Sequence, residues 1–190
     1  MLVTYTGKTF DYNNITKDSI DIEDILHSIV RINRFIGHSS RAYSVGEHTY
    51  VGLLIADKMG YTPLQKLHWL IHDFTEAYVG DCPTPLKRML PKFEEIEYNI
   101  SCAIMEHLGL EPITEEEHRM VKRIDTTMLV IEMRDLTLHD FRKYVNDEVH
   151  FDILMDDYFV LTEEVENSEE IKEELRKEFD KLMKEVKGIE

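Results

Sequence analysis

The stretch Ile71-His72-Asp73-Phe74-Thr75-Glu76-Ala77-Tyr78-Val79-Gly80-Asp81-Cys82-Pro83-Thr84-Pro85-Leu86-Lys87 decides how this chain is read. His72 and Asp73 extend the apolar run Trp69-Leu70-Ile71, where two ionisable groups are costly to bury unless a charge compensates them. An imidazole nitrogen beside a carboxylate oxygen is a donor pair suited to a divalent transition metal. On a continuous helix Glu76, four residues after His72 and three after Asp73, rises on the same face. There it could exchange a proton with water at the metal. Gly80 ends that helix, and 81–85 is expected to form a rigid, non-helical rim with Lys87 as an anion clamp. A bare His-Asp dipeptide is common by chance, and a hydrogen-bonded pair on an exposed helix explains most such cases. Here Glu76, the Gly80-Asp81 stop and further donors elsewhere set it apart.

Outward from that stretch the chain reads as helices. Residues 2–11 alternate around Thr6-Gly7-Lys8, a short hairpin or extended arm. Ser19 or Asp21 caps a helix with Ile22, Ile25, Leu26, Ile29 and Ile32 on one stripe, running toward Gly37. Ser44 with Glu47 makes a capping box for a second helix that ends near Gly60. Thr62-Pro63 opens a third, which carries His72-Asp73. A fourth spans about 92–109, closed by Gly109, and Thr114 with Glu117 starts a long fifth to about 138. A turn and a short helix are expected over 139–162, then a last amphipathic helix from Asn167 with Ile171, Leu175, Phe179 and Leu182 on its apolar line. The expectation is an all-α fold in one domain, residues 1–190.

Composition narrows the function. The net charge is −16, with no basic stripe to displace counterions, so a nucleic-acid polymer is not the expected partner. A small phosphorylated substrate stays open, because a metal and a few cations can reverse the local field. No apolar run approaches the roughly 20 residues that span a bilayer, so no membrane partner is expected. Two cysteines, Cys82 and Cys102, make no disulfide framework, and the N-terminus lacks a signal-peptide layout, which suits a reducing, cytoplasmic setting.

One His-Asp pair does not fill a catalytic metal shell, which takes three or four protein donors and an open position. His48, early in the second helix, and Asp125, beside Ile124 on the fifth, are candidates. By spacing alone either is more commonly a satisfied or solvent-facing residue.

The four together, His48, His72-Asp73 and Asp125, resemble the HD-domain metal-dependent phosphohydrolases. Ser44-Val45-Gly46-Glu47-His48-Thr49 is similar to the segment around the first histidine of the 5′-deoxynucleotidase branch. His72-Asp73-Phe74-Thr75-Glu76 through Gly80-Asp81 to Pro83-Thr84-Pro85-Leu86-Lys87 is similar to its second motif, with Cys82 where an apolar residue is more usual. Asn33-Arg34-Phe35 and the arm Tyr5-Thr6-Gly7-Lys8 also resemble small phage and bacterial dATP or dNTP triphosphohydrolases. The likeness covers residues 1 to about 135.

The resemblance implies an HD-domain helical bundle and an enzyme hydrolysing deoxynucleotide phosphates. A triphosphohydrolase is favoured over a 5′-deoxynucleotidase by the short chain, the arm and two lysines. The metal ligands implied are His48, His72, Asp73 and Asp125; Glu76 and Asp81 would handle protons. Arg34, Lys87 and Lys122 would neutralise phosphate, and Phe35, Ile36 and Gly37 would border the substrate. The ion implied is Zn, Co, Mn or Fe, with a second Mg, Mn or Co brought in on the substrate phosphates. A small deoxynucleotide is the implied partner, and a homo-oligomer, dimer or hexamer, the implied assembly. A diiron oxidase would need further histidines after the pair, and Thr75-Glu76-Ala77 has none. A retired, non-catalytic binding module is the remaining alternative.

Overall fold

The computed structural model describes residues 1–161 and 167–188. Its elements are β1 (Leu2–Val3), β2 (Thr9–Phe10), α1 (Ile22–Ile29), α2 (Val45–Lys58), α3 (Pro63–Ile71) and α4 (Glu76–Val79). They continue with α5 (Thr84–Lys87), α6 (Phe93–Leu108), α7 (Glu115–Leu136), α8 (Phe151–Leu154) and α9 (Ser168–Lys187). The architecture is all-α with one antiparallel hairpin, Leu2 opposite Phe10 and Val3 opposite Thr9, as the alternation over 2–11 implied. The hairpin turn is tied to α1 by the buried Asp24, whose carboxylate accepts from the Thr6 amide (2.6 Å) and hydroxyl (3.0 Å).

Side-chain caps fix most helix starts. Thr62 and Thr114 form full capping boxes with Gln65 and Glu117, and Asn167 accepts from the Glu169 amide. Gly109 takes the left-handed conformation that ends α6. At Ser44 only half of the expected box forms. The serine accepts from the Glu47 amide, but the Glu47 carboxylate turns instead to Arg41, which grips both of its oxygens at 3.0 and 2.6 Å.

α2 is the centre of the bundle and is buried almost all round. It packs on α3, α7 and α9, and Trp69 of α3 sits fully buried against it. Gly52 permits that approach: a Cβ there would lie 2.0 Å from the Trp69 ring. Ile171, Leu175, Phe179 and Leu182 of α9 close the core, the line expected from their spacing.

Three expectations are corrected. The first helix stops at Ile29 rather than running toward Gly37. Residues 32–34 instead pair with 43–45, the Arg34 amide donating to the Tyr43 carbonyl and the Val45 amide to that of Ile32. The third helix does not continue through the His-Asp pair to Gly80. It ends at Ile71, and the amides of His72, Phe74, Glu76, Ala77 and Tyr78 each bond three residues back, a tighter winding before α4. The rim is not wholly non-helical, since Thr84–Lys87 forms the single turn α5, which tolerates Pro85 at its start. Over 139–162 the chain has two 3-10 turns, Phe141–Tyr144 and Asp157–Phe159, flanking α8, while residue 162 lies outside the described residues. Among the described residues no helix is long and apolar enough to cross a membrane.

Candidate metal centre

Two helical segments aim donors at one point. His48 comes from the first turn of α2, His72 and Asp73 from the tight turns after α3, and one donor atom from each lies within 4.8 Å of the other two. His72 Nε2 is 3.1 Å from Asp73 Oδ2, and His48 Nε2 is 3.7 Å from the same oxygen. Asp125 of α7 stands at the edge, its Oδ1 3.8 Å from His48 Nε2.

The Nδ1 atoms face away and are occupied. That of His48 is 2.6 Å from Glu132 Oε1, and that of His72 is 2.5 Å from the Trp69 carbonyl. With acceptors there, each ring holds a proton on Nδ1, which leaves Nε2 as the atom turned inward. Both Nε2 atoms are buried without a hydrogen-bond partner. Two partnerless imidazole nitrogens converging beside a carboxylate form a donor set that fits a divalent transition ion.

Electrostatics around the set are strongly biased. Burial opposes the Asp73 charge, but His72, His48 and Arg34 outweigh it and hold this carboxylate well below its usual range. Burial likewise opposes the Arg34 charge, and Glu132 and Asp73 more than restore it. Glu76 goes the other way. Burial, then the charges of Asp73 and Asp81, push its carboxyl up to about 9, and its Oε2 is buried without a partner. Asp81 is also raised, chiefly by burial, against the opposing pull of Arg34.

The other residues singled out in the sequence are distributed around this point. Arg34 is wedged between Glu132 (3.1 Å) and Asp73 (3.7 Å) with its side chain 12% exposed. Lys87 is held by Glu97 at 2.6 Å and lies over the Phe93 ring. Lys122 lines the same cleft as His72 and Asp125 and is exposed. Phe35 and Ile36 adopt left-handed backbone angles (φ 57° and 52°), followed by Gly37 at φ 75°. For a β-branched residue this is a strained conformation. Phe35 is half-buried beside Arg34, while Ile36 is 62% exposed.

Sequence reasoning missed Glu132, which is fully buried and joins His48 to Arg34. A signal existed: Glu132 is a lone carboxylate after Met128-Leu129-Val130-Ile131, seven residues from Asp125 and so on the same helical face.

The helical fold and the His48/His72/Asp73 set define an all-α protein with a candidate metal centre. The chain belongs to the family of the uncharacterised Escherichia coli K12 protein YfdR, with 41% identity over 138 residues and 72% of each chain covered. A second relative, the uncharacterised RCAP_rcc00048 of Rhodobacter capsulatus, is 28% identical over 137 residues, 69% of this chain and 70% of its own. No family model matches the sequence. Among solved structures, the cyanophage S-2L HD phosphohydrolase DatZ, bound to dA and one catalytic Zn2+ ion, superposes with a TM-score of 0.49 at 21% identity. That superposition covers 87% of this chain and 98% of the phage protein.

Proposed function

We propose that this protein is a metal-dependent hydrolase of deoxynucleotide phosphates. The observation that carries the reading is the pair of buried, partnerless Nε2 atoms of His48 and His72 facing the Asp73 carboxylate, with the proton-holding Glu76 nearby. His48, His72, Asp73 and Asp125 would hold a divalent ion, which when bound supplies Lewis-acid polarisation of a phosphoryl oxygen and a more acidic water.

The chain's own residues do the rest. Glu76 holds a proton on a carboxyl whose Oε2 has no hydrogen-bond partner and exchanges it with the attacking water or the leaving oxygen. Neutralising Asp73 removes one of the charges that raise Glu76, which makes its carboxyl release the proton more readily. Asp81, raised in the same direction, shares this duty. Arg34 stabilises negative charge near Asp73 and orients that ligand, and Lys122 meets the phosphate at the cleft. Phe35, Ile36 and Gly37 border the substrate through their strained turn.

The triphosphate reading draws on several cations, and one observation favours the monophosphate alternative. Lys87 is already engaged by Glu97, which leaves less positive charge for a polyphosphate chain. Metal-loaded protein would be offered dNMPs and dNTPs with Mn, Co or Zn, and the released anion identified, with Glu76→Ala alongside. Triphosphate release lost in the variant establishes a triphosphohydrolase. Phosphate from dNMPs alone establishes a 5′-deoxynucleotidase. No release from either, with metal bound, overturns the hydrolase reading in favour of a binding module. Sedimentation of the same samples tests the dimer or hexamer.

A further inference from the structure

A cleft of about 330 Å³ opens beside the candidate metal centre, between α3, α6 and α7. His72 and Asp125 form one end of it, so a group seated there is continuous with whatever reacts at the donor set. None of residues 34–37 lines it. Its volume falls in the lower part of the range for small-molecule sites, about 300–1,000 Å³. Ile104, Met105 and Val121 give it apolar walls.

A buried polar atom in the lining has no partner. His68 is 4% exposed, lines the cleft, and its Nδ1 has no hydrogen-bond partner; Glu117 Oε2 stays 3.7 Å away. Burial lowers the basicity of the ring, so it stands neutral and can donate or accept. An unsatisfied polar atom inside a folded protein is costly and calls for an explanation. The Ser101 hydroxyl offers a second hydrogen-bonding group on the α6 side.

These features select among the parts of a deoxynucleotide. A phosphate chain is a poor fit to apolar walls where Lys122 is the one lysine or arginine among the lining residues. A flat heterocycle with a polar edge fits both the walls and the orphaned nitrogen. The geometry points to this cleft as the nucleobase subsite, with His68 reading the base edge and the phosphate lying over the His72 and Asp125 end, within reach of Lys122. This rests on the deoxynucleotide reading above.

The test is direct binding, kept separate from turnover. The four deoxynucleosides, which carry no phosphate, would be titrated by NMR into wild type, Ser101→Trp and His68→Phe, with metal content and melting temperature checked for each. Ser101→Trp fills the cleft from an exposed helix position, so the fold is expected to survive. The expected result is saturable binding of at least one nucleoside to wild type, weakened tenfold or more by Ser101→Trp and severalfold by His68→Phe. Absence of nucleoside binding to wild type, or binding that a folded Ser101→Trp leaves unchanged, overturns the subsite. Should nucleosides bind in this pattern while no phosphate is released from any nucleotide, the hydrolase reading falls and the subsite stands. Nucleotide hydrolysis with binding indifferent to Ser101→Trp removes the subsite and leaves the hydrolase reading standing.

Discussion

Glu132 Oε1 lies 2.6 Å from His48 Nδ1, and both side chains are fully buried. The same carboxylate accepts from Arg34, whose other guanidinium nitrogen approaches Asp73. Glu132 thus fixes the orientation of one candidate ligand and, through Arg34, the charge around another. Carboxylates behind a ligating histidine typically contribute about 10–100-fold to metal affinity. Glu132→Gln is expected to weaken metal binding within that range, read by competition with a chromophoric chelator. Glu132→Ala should also cost about 3–5 kcal/mol, because Arg34 is left buried without its partner. Unchanged affinity in both variants would remove Glu132 from the site.

Metal removal gives a second test, independent of turnover. An ion bound at 100 times its dissociation constant stabilises a folded protein by about 2.7 kcal/mol. For a chain of this size that corresponds to roughly 5–10 °C in Tm. Exhaustive chelation should lower Tm by that amount, and re-addition of Zn, Co or Mn should restore it. In His72→Ala the same treatment is expected to have no effect. A chelation shift that persists in this variant would place the ion elsewhere.

Glu76 sets a pH dependence with a definite sign. Its carboxyl is raised to about 9, from an unfolded value near 4.5, by burial and by Asp73 and Asp81. A group raised on folding contributes stability that is complete below its unfolded pKa and is lost as pH climbs through the folded one. Metal-free wild type should therefore lose stability between about pH 5 and pH 9 relative to Glu76→Gln, which cannot ionise. Urea denaturation of both proteins across that window measures the gap. A gap that stays constant, or narrows as pH rises, would show that the carboxyl is not held protonated.

Much of this was legible in the residues because it is local. The capping boxes at Thr62 and Thr114, the Gly109 stop and the α9 stripe depend only on neighbours a turn away. His72 and Asp73 were conspicuous as ionisable groups following an apolar run. What escaped depends on distant contacts. The winding between Ile71 and Tyr78 tightens where His72 and Asp73 meet His48 from another helix, and helical spacing carries no record of that. α1 ends early where residues 32–34 pair with 43–45, and no stop signal marks Ile29. Glu132 reads as an ordinary helix glutamate until His48 and Arg34 are seen to converge on it.

Ile36 holds a left-handed backbone that a β-branched residue adopts at a cost of about 1–2 kcal/mol. Its side chain is 62% exposed, so little burial offsets the strain. Ile36→Gly should raise stability by about 1 kcal/mol in denaturant titration. If the turn borders the substrate, the same change should raise KM for the nucleotide severalfold while leaving metal affinity intact. Greater stability with unchanged KM would make the turn a purely structural connection.

Gly52 links the packing of the bundle to the geometry of the centre. Trp69 lies against it, donates its indole N–H to the Thr49 carbonyl at 2.9 Å, and stacks on His72 with ring centroids 4.0 Å apart. A Cβ at position 52 would meet the Trp69 ring at 2.0 Å, and the backbone atoms of α2 leave the indole to give way. Overpacking of this kind costs about 1–3 kcal/mol. A displaced indole also shifts the surface on which His72 rests, and the Trp69 carbonyl that fixes the His72 tautomer moves with it. Gly52→Ala is therefore expected to lower Tm by roughly 2–12 °C and to weaken metal affinity, although residue 52 is not one of the donors. Trp69 is the chain's sole tryptophan, so its fluorescence reports the displacement directly. A variant that loses stability yet keeps both the emission spectrum and the metal affinity of wild type would show that His72 is held independently of Trp69.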